Sequence, residues 1–261
     1  MRQLRKILRE SLMAKIILYD LETSRTGVEG YGNRWDFKVV KFTKQSELMC
    51  YSWKESGEKN VHFVSRYDFK TYHDFVQSLR DLLHSADITI AHNGGSFDDK
   101  MANRFFVTEG IAPPKPRKTV DTKREAKRWF RFESNSLDDL GQFLGLGRKE
   151  NIGYADLEDD FMSDKPSKKT VQLMKKYNNQ DVRVLEEVYL KMRPYMASHP
   201  NLGDLTQIDG VCPKCLSDDL KLEGTHARRG GRVQSFSCRN CGGWCNDNSI
   251  VRPNGRKVNG V

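Results

Sequence analysis

The stretch that most restricts this chain is Lys15-Ile16-Ile17-Leu18-Tyr19-Asp20-Leu21-Glu22-Thr23. Ile16, Ile17 and Leu18 form a short β-branched and aliphatic run, the pattern of a strand buried on both faces of a sheet. Side chains two apart on a strand share a face, so Asp20 and Glu22 are expected to project together from its C-terminal end. Two carboxylates about 4 Å apart repel by roughly 4 kcal/mol at an effective dielectric of about 20. A hard divalent cation such as magnesium or manganese relieves that repulsion, and carboxylate oxygens are the donors such ions prefer. A strand running out into a polar loop carries the same D-x-E, so the remaining acids must decide between the two.

Those acids lie on two later segments. Ile88-Thr89-Ile90-Ala91 reads as a second short buried strand. It runs into His92-Asn93-Gly94-Gly95-Ser96-Phe97-Asp98-Asp99, where the glycines predict a tight turn and Ser96 is the expected cap of a helix starting near Ser96 or Phe97. Asp98 then falls in the first helical turn, where an acid is also favoured simply by the helix dipole. The longest helical pattern spans residues 165–196, with Pro166 suited to its first turn. Val171, Met174, Val182, Leu185 and Val188 lie along its apolar face. Tyr177 and Asp181 are four apart and so share a face one turn from each other. A carboxylate on an otherwise buried face needs a partner.

Between these segments the pattern is more ordinary. Residues 24–46 are rich in Gly, Arg and Lys and read as a loop. Residues 47–53 and 61–64 read as strands joined by a turn, with Cys50 as core packing. Residues 69–83 carry apolar side chains three and four apart and predict a helix that covers the sheet. Pro113, Pro114 and Pro116 mark a stiff connector. From Lys115 to Phe132 basic residues interleave with Trp129, Phe130 and Phe132. That mixture suits a groove for a single nucleic-acid strand, or equally a helix whose aromatics are core and whose basic face is solvated. Ser134-Asn135-Ser136 predicts a cap for a helix over residues 137–144.

After His199-Pro200 the composition changes. Cys212-Pro213-Lys214-Cys215 and Cys238-Arg239-Asn240-Cys241 are two C-x2-C knuckles separated by 22 residues, which predicts a tetrahedral four-cysteine structural zinc site in a ribbon of short hairpins. A segment this small cannot build a sufficient core unaided. Cys245 is a surplus thiol and an alternative fourth ligand to Cys241. Arg228, Arg229 and Arg232 make a basic loop between the knuckles, either a phosphate contact or a solvated hairpin tip. From Asn246 onward the chain reads as a polar, flexible tail.

The 261 residues carry a net charge of +9, with 37% hydrophobic residues, a mean hydropathy of −0.70 and a pI near 9.2. No apolar run approaches the roughly 20 residues of a membrane span. The charge favours a polyanionic partner, nucleic acid first. Paired cysteines of metal-binding spacing with no secretory signal place the protein in a reducing cytoplasm. At the start of the chain, Leu4, Ile7, Leu8 and Leu12 alternate with Arg2, Arg5, Lys6 and Arg9 as a short basic amphipathic helix. A targeting peptide, a nucleic-acid contact and a docking helix are all compatible with it, and a plain extension is the preferred reading.

Taken in order, Asp20-Leu21-Glu22, Asn93-x3-Phe97-Asp98 and Tyr177-x3-Asp181 resemble the three motifs of the DEDD superfamily of 3′-to-5′ exonucleases, in its tyrosine-bearing branch. The second motif looks especially like that of family-B DNA polymerase proofreading domains. The histidine branch wants His five residues before the last acid, where this chain has Lys176. The resemblance covers roughly residues 14–197 and extends to small phage-encoded exonucleases. It implies a ribonuclease H-like α/β fold, a mixed sheet flanked by helices. It also implies two magnesium or manganese ions held by Asp20, Glu22, Asp98 and Asp181, and Tyr177 positioning the attacking water. Leu21, and with it Asn93 and Phe97, would contact the terminal nucleotide.

The expected organisation is thus a basic extension (1–13), an exonuclease domain (14–199), a zinc ribbon (205–247) and a tail (248–261). The substrate expected is single-stranded DNA or another nucleic-acid 3′ end, with a replication or repair protein as a further partner, in the cytoplasm of a bacterial or phage-infected cell. An inactive nucleic-acid-binding adaptor and an endonuclease of the same fold are the competing readings.

Overall fold

A computed structural model describes residues 14–33, 36–146, 154–228 and 231–250, without the side chains of residues 154, 155 and 228. The basic extension at 1–13, Arg229 and the chain beyond residue 250 lie outside the described residues. No helix among the described residues is long and apolar enough to cross a membrane.

The chain is an α/β protein built on strand β1 (Ile16–Thr23), as its apolar run predicts. The segment expected to be a loop instead forms a ribbon, β2 (Gly27–Tyr31) against β3 (Lys38–Lys44). β4 (Leu48–Glu55) and β5 (His62–Ser65) follow as the expected antiparallel pair. Helix α1 (Tyr72–Ser85) is capped by Thr71 and leads to β6 (Ile88–Ala91), all four residues of which are buried. Helix α2 (Asp98–Thr108) starts two residues beyond the expected Ser96 cap. Its N-cap position is Phe97, which makes no side-chain capping bond. The proline connector ends in an unforeseen strand, β7 (Lys118–Asp121), which runs directly into α3 (Thr122–Trp129). α4 (Leu137–Phe143) is capped by Ser136 as predicted. α5 (Tyr154–Phe161) precedes the long helix α6 (Lys168–Met192), whose N-cap is Ser167, so Pro166 lies just outside the helix rather than in its first turn.

The main sheet has the order β5-β4-β1-β6-β7. β4 runs antiparallel to β1 and β5 antiparallel to β4, so that β4 alone runs against the other four, while β6 and β7 run parallel to β1. Alternation along β1 divides the core between the two faces of the sheet. Ile17, Tyr19 and Leu21 pack with Phe75, Leu79 and Phe105 of α1 and α2. Leu18 packs on the other face with Val182 and Leu185 of α6, together with side chains of α3 and α4. Asp20 and Glu22 continue that second face beyond the apolar part, towards α6.

Phe130 and Phe132 pack against this second core and on each other, with ring centroids 5.3 Å apart. Phe132 also stacks on Phe143. Lys127 and Arg128 on α3 are exposed. Phe130 and Phe132 of the basic aromatic segment are therefore core packing, while Trp129 is 39% exposed beside its solvated basic residues.

Beyond α6, helix α7 (Leu202–Thr206) leads into a three-stranded sheet of β8 (Leu220–Arg228), β9 (Gly231–Cys238) and β10 (Trp244–Asn246). A short helix α8 (Asp247–Ile250) stands where the polar tail was expected to begin. It is held by an Asn201 amide bond to the Ser249 carbonyl (2.9 Å) and by the Gly210 N–H on the Ile250 carbonyl (2.8 Å).

Candidate active site and cysteine cluster

The acids on β1 are presented by the geometry of the sheet. Asp20 lies opposite Ser52 and Glu22 opposite Cys50 on β4, and the register shifts immediately after Glu22. Such a bulge bends a strand end and re-aims its side chains. On the opposing helix, Asp181 is buried and faces the same space. One oxygen from each of Asp20, Glu22 and Asp181 falls within a 4.8 Å group. Three carboxylates and no softer donor make a set suited to magnesium or manganese.

Two details of packing hold this cluster. Asn178, fully buried one turn before Asp181, donates its side-chain amide to Asp20 Oδ2 at 2.7 Å. Its neighbour Asn179 accepts from the Ser52 hydroxyl at 2.7 Å, tying α6 to β4 at the same level. Sequence reasoning missed Asn178. The available signal was its i, i+3 spacing to Asp181, which puts an amide on the buried face. Tyr177 is partly buried on the first of these turns, four residues from Asp181.

Asp98 approaches β1 from the other side. β6 pairs with β1 only as far as Leu18, so the Leu21 N–H on that edge has outrun its neighbouring strand. Asp98, 2% exposed, accepts that N–H through Oδ1 at 3.2 Å. Burial pushes its carboxyl up to about 7, with Asp99 and Asp121 adding to the shift and the Leu21 N–H opposing it. Asp98 is not among the three acids whose oxygens cluster. It is anchored to the backbone of the residue between two of them.

The turn that carries Asp98 is fixed from β7. Asp121 accepts the N–H groups of Asn93 (3.0 Å) and Gly95 (3.2 Å) while also capping α3. His92 bridges the Thr122 hydroxyl and the Asn135 carbonyl. Asn93 has φ 69°, the left-handed region that Asn tolerates better than most residues. A Cβ on Gly94 would meet that of Ala91 at 2.6 Å, so this position excludes a side chain.

Of the residues expected to touch substrate, Phe97 is 40% exposed at the start of α2. Leu21 points away from the acids into the core with α1 and α2 and is 4% exposed, so its side chain is packing rather than free surface. Arg232 is exposed at the tip of the β8–β9 hairpin. Arg229 and the Arg228 side chain lie outside the described residues.

The second cluster is the four cysteines. Cys212, Cys215, Cys238 and Cys241 bring their sulfurs within 4.8 Å of one another, and none is in a disulfide. Each knuckle is the same turn. The N–H four residues on returns to the carbonyl of the first cysteine, from Leu216 to Cys212 (3.0 Å) and from Gly242 to Cys238 (2.8 Å). Leu216 and Gly242 both have positive φ, 61° and 76°. The sulfur separations of 3.7 Å (Cys212–Cys241) and 3.6 Å (Cys215–Cys238) match the roughly 3.8 Å edge of a tetrahedron with metal–sulfur bonds of about 2.3 Å. The residues present therefore fit a zinc ion. Cys245 is buried on β10 outside this set of four.

The protein is thus an α/β sheet with three acids gathered at the end of its central strand. The chain belongs to the RNase H superfamily, whose sequence model matches residues 19–193. Among solved structures it is similar to the family B DNA polymerase from the hyperthermophilic archaeon Pyrobaculum calidifontis, with a TM-score of 0.53 at 11% sequence identity. The match covers 74% of this chain and 27% of the polymerase, so the likeness is one of fold over a part of that enzyme. No curated protein matches the sequence.

Proposed function

We propose that this protein is a metal-dependent 3′-to-5′ exonuclease that removes nucleoside monophosphates from single-stranded or frayed 3′ ends, DNA in preference to RNA. The observation that carries the reading is the convergence of Asp20, Glu22 and Asp181 from a strand and a helix onto one small volume. Two divalent cations bound there would lower the pKa of a water and neutralise charge developing on the departing 3′ oxygen. The chain's own work is to hold and aim. Asp20, Glu22 and Asp181 supply the oxygen donors, and the Asn178 amide fixes the rotamer of Asp20. Asp98 sits against the Leu21 N–H at the edge of the same cluster and supplies the fourth carboxylate. Tyr177, one helical turn from Asp181, holds the attacking water by its hydroxyl. Phe97 and Asn93 flank the terminal nucleotide, and the basic tip at Arg228, Arg229 and Arg232 meets phosphates. The four cysteines hold one structural zinc.

The test uses a 5′-labelled single-stranded DNA oligonucleotide and its RNA counterpart, with magnesium, manganese or EDTA. The expected result is a metal-dependent ladder shortening from the 3′ end, faster on DNA and absent from an Asp20→Ala, Glu22→Ala variant. Full activity in that variant, or cutting of closed circular DNA, would falsify the reading.

A further inference from the structure

The β2–β3 ribbon has no role in the site described above, and every residue of its two strands except Gly27 is exposed. Val28, Tyr31, Phe37, Val39, Val40 and Phe42 all face water, Tyr31 at 64% and Phe42 at 69%. Single exposed apolar side chains are ordinary, but a contiguous group marks an interaction surface. Cations are interleaved with them, Lys38, Lys41 and Lys44 recurring every third residue along β3. That spacing alternates between the two faces of the strand, so a chain lying on either face meets a positive charge.

The ribbon springs from the acidic end of the sheet. β1 ends at Thr23, one residue past Glu22, and β2 begins at Gly27. Its root is pinned by the Ser24 N–H on the Glu47 carbonyl and the Glu47 N–H on Ser24 Oγ, both at 2.9 Å. The Arg25 N–H on Glu158 adds a third tie at 2.7 Å. A five-residue strand carries the surface about 17 Å from that root. A two-stranded ribbon with neither face covered is marginal in water. A bound strand would cover it.

We propose that this ribbon grips the unpaired nucleic-acid strand leading to the acidic site, its aromatic rings stacking on bases and Lys38, Lys41 and Lys44 meeting phosphates. The inference rests on the exonuclease reading for its substrate. A single strand is favoured over a second copy of this chain because lysines along a strand edge oppose edge-to-edge pairing, whereas aromatics among cations are what a single-strand surface needs.

The experiment is fluorescence anisotropy with a labelled single-stranded DNA of about 15 nucleotides, near the upper site size of one binding fold. It is run in EDTA, so that binding is read without cleavage. Tyr31→Ala with Phe42→Ala should weaken binding about tenfold or more while keeping the salt dependence. Lys38→Gln, Lys41→Gln and Lys44→Gln together should weaken binding and flatten the slope of log affinity against log salt by about 2, at about 0.7 per phosphate contact. Both variants should keep the wild-type melting temperature, because these side chains are outside the core. Wild-type affinity in both variants overturns the proposal. So does a wild-type dimer in solution that the aromatic variant disperses while DNA affinity stays unchanged. Turnover in magnesium is scored separately. Tight ribbon-dependent binding with no shortening of the strand would retire the exonuclease reading alone, and shortening with ribbon-independent binding would retire the ribbon's role alone.

Discussion

Asn178 gives its amide to Asp20 from a fully buried position, and removing that bond frees the rotamer of a carboxylate beside two others. Partners that orient metal ligands are typically worth 10–100-fold in metal affinity or activity. Asn178→Ala is therefore expected to raise the magnesium concentration for half-maximal turnover by about tenfold or more. A magnesium titration checks this, and an unchanged midpoint would leave Asn178 as packing only. Tyr177→Phe removes a hydroxyl and keeps the ring. It should lower turnover while leaving oligonucleotide affinity in EDTA nearly unchanged, and equal losses in both would count against a role in holding water. Asp20, Glu22 and Asp181 were legible because strand and helix periods put them on defined faces. Asn178 was not, because an amide beside a tyrosine in a helix reads as surface until the helix is laid on its sheet. The burial of the Leu21 side chain was not legible for a related reason. Leu21 lies between two acids in sequence but points to the opposite face.

Whole elements were legible where their apolar pattern was long. α6 and α1 follow their three-and-four spacing, and β6, though only four residues long, is marked by Ile88, Ile90 and Ala91. β7 escaped notice because it has four residues, of which Lys118 and Thr119 are exposed. It is a strand only because β6 pairs with it in register from Ile88–Lys118 to Ala91–Asp121. The β2–β3 ribbon escaped because it has no buried face, so no alternation of apolar and polar residues was there to be read.

The join between α6 and the cysteine module yields a prediction of its own. The His199 Nδ1–H donates to the Pro200 carbonyl at 2.7 Å, and Nε2 accepts from the Tyr189 hydroxyl at 2.8 Å. Burial pushes this histidine down to about 4, so it is neutral when folded. A base with a depressed folded pKa binds its proton more readily when unfolded. Its contribution is present above pH of about 6.5 and is lost as the pH falls towards 4. Thermal midpoints should drop over that window by the equivalent of about 3 kcal/mol, and His199→Gln should flatten that part of the profile.

At the scale of the molecule, the cysteine module is seated on the nuclease-like body by several ties. Leu202 is part of the core beneath α6, and Leu216 packs against it. The Leu202 N–H bonds the Pro213 carbonyl within the first knuckle, and the Lys214 ammonium bonds the Pro194 carbonyl. The module's own apolar core is small, and zinc binding contributes roughly 10–16 kcal/mol in isolated finger peptides. Stripping the metal with a strong chelator should expose β8–β10 to proteolysis while the five-stranded sheet persists. Limited proteolysis followed by mass spectrometry of the fragments checks this, and an undigested module after verified metal loss would contradict it.

The sequence alone determined the class of fold, the identity of the acids and the identity of the zinc-spaced cysteines. The fold class was implied by the resemblance of the three acidic motifs to a known superfamily, whereas the placement of the acids and cysteines follows from short-range periodicity: two residues per repeat on a strand, 3.6 on a helix, and three positions from one cysteine of a knuckle to the next. Tertiary structure alone decided which acids share a volume, that Asp98 answers a backbone N–H where β1 outruns β6, and that Asn178 steadies Asp20. It also decided that residues 24–46 rise as an uncovered ribbon beside the acids. Those outcomes depend on contacts between residues some 80 to 160 positions apart, and no local pattern encodes a distance that only the closed sheet creates.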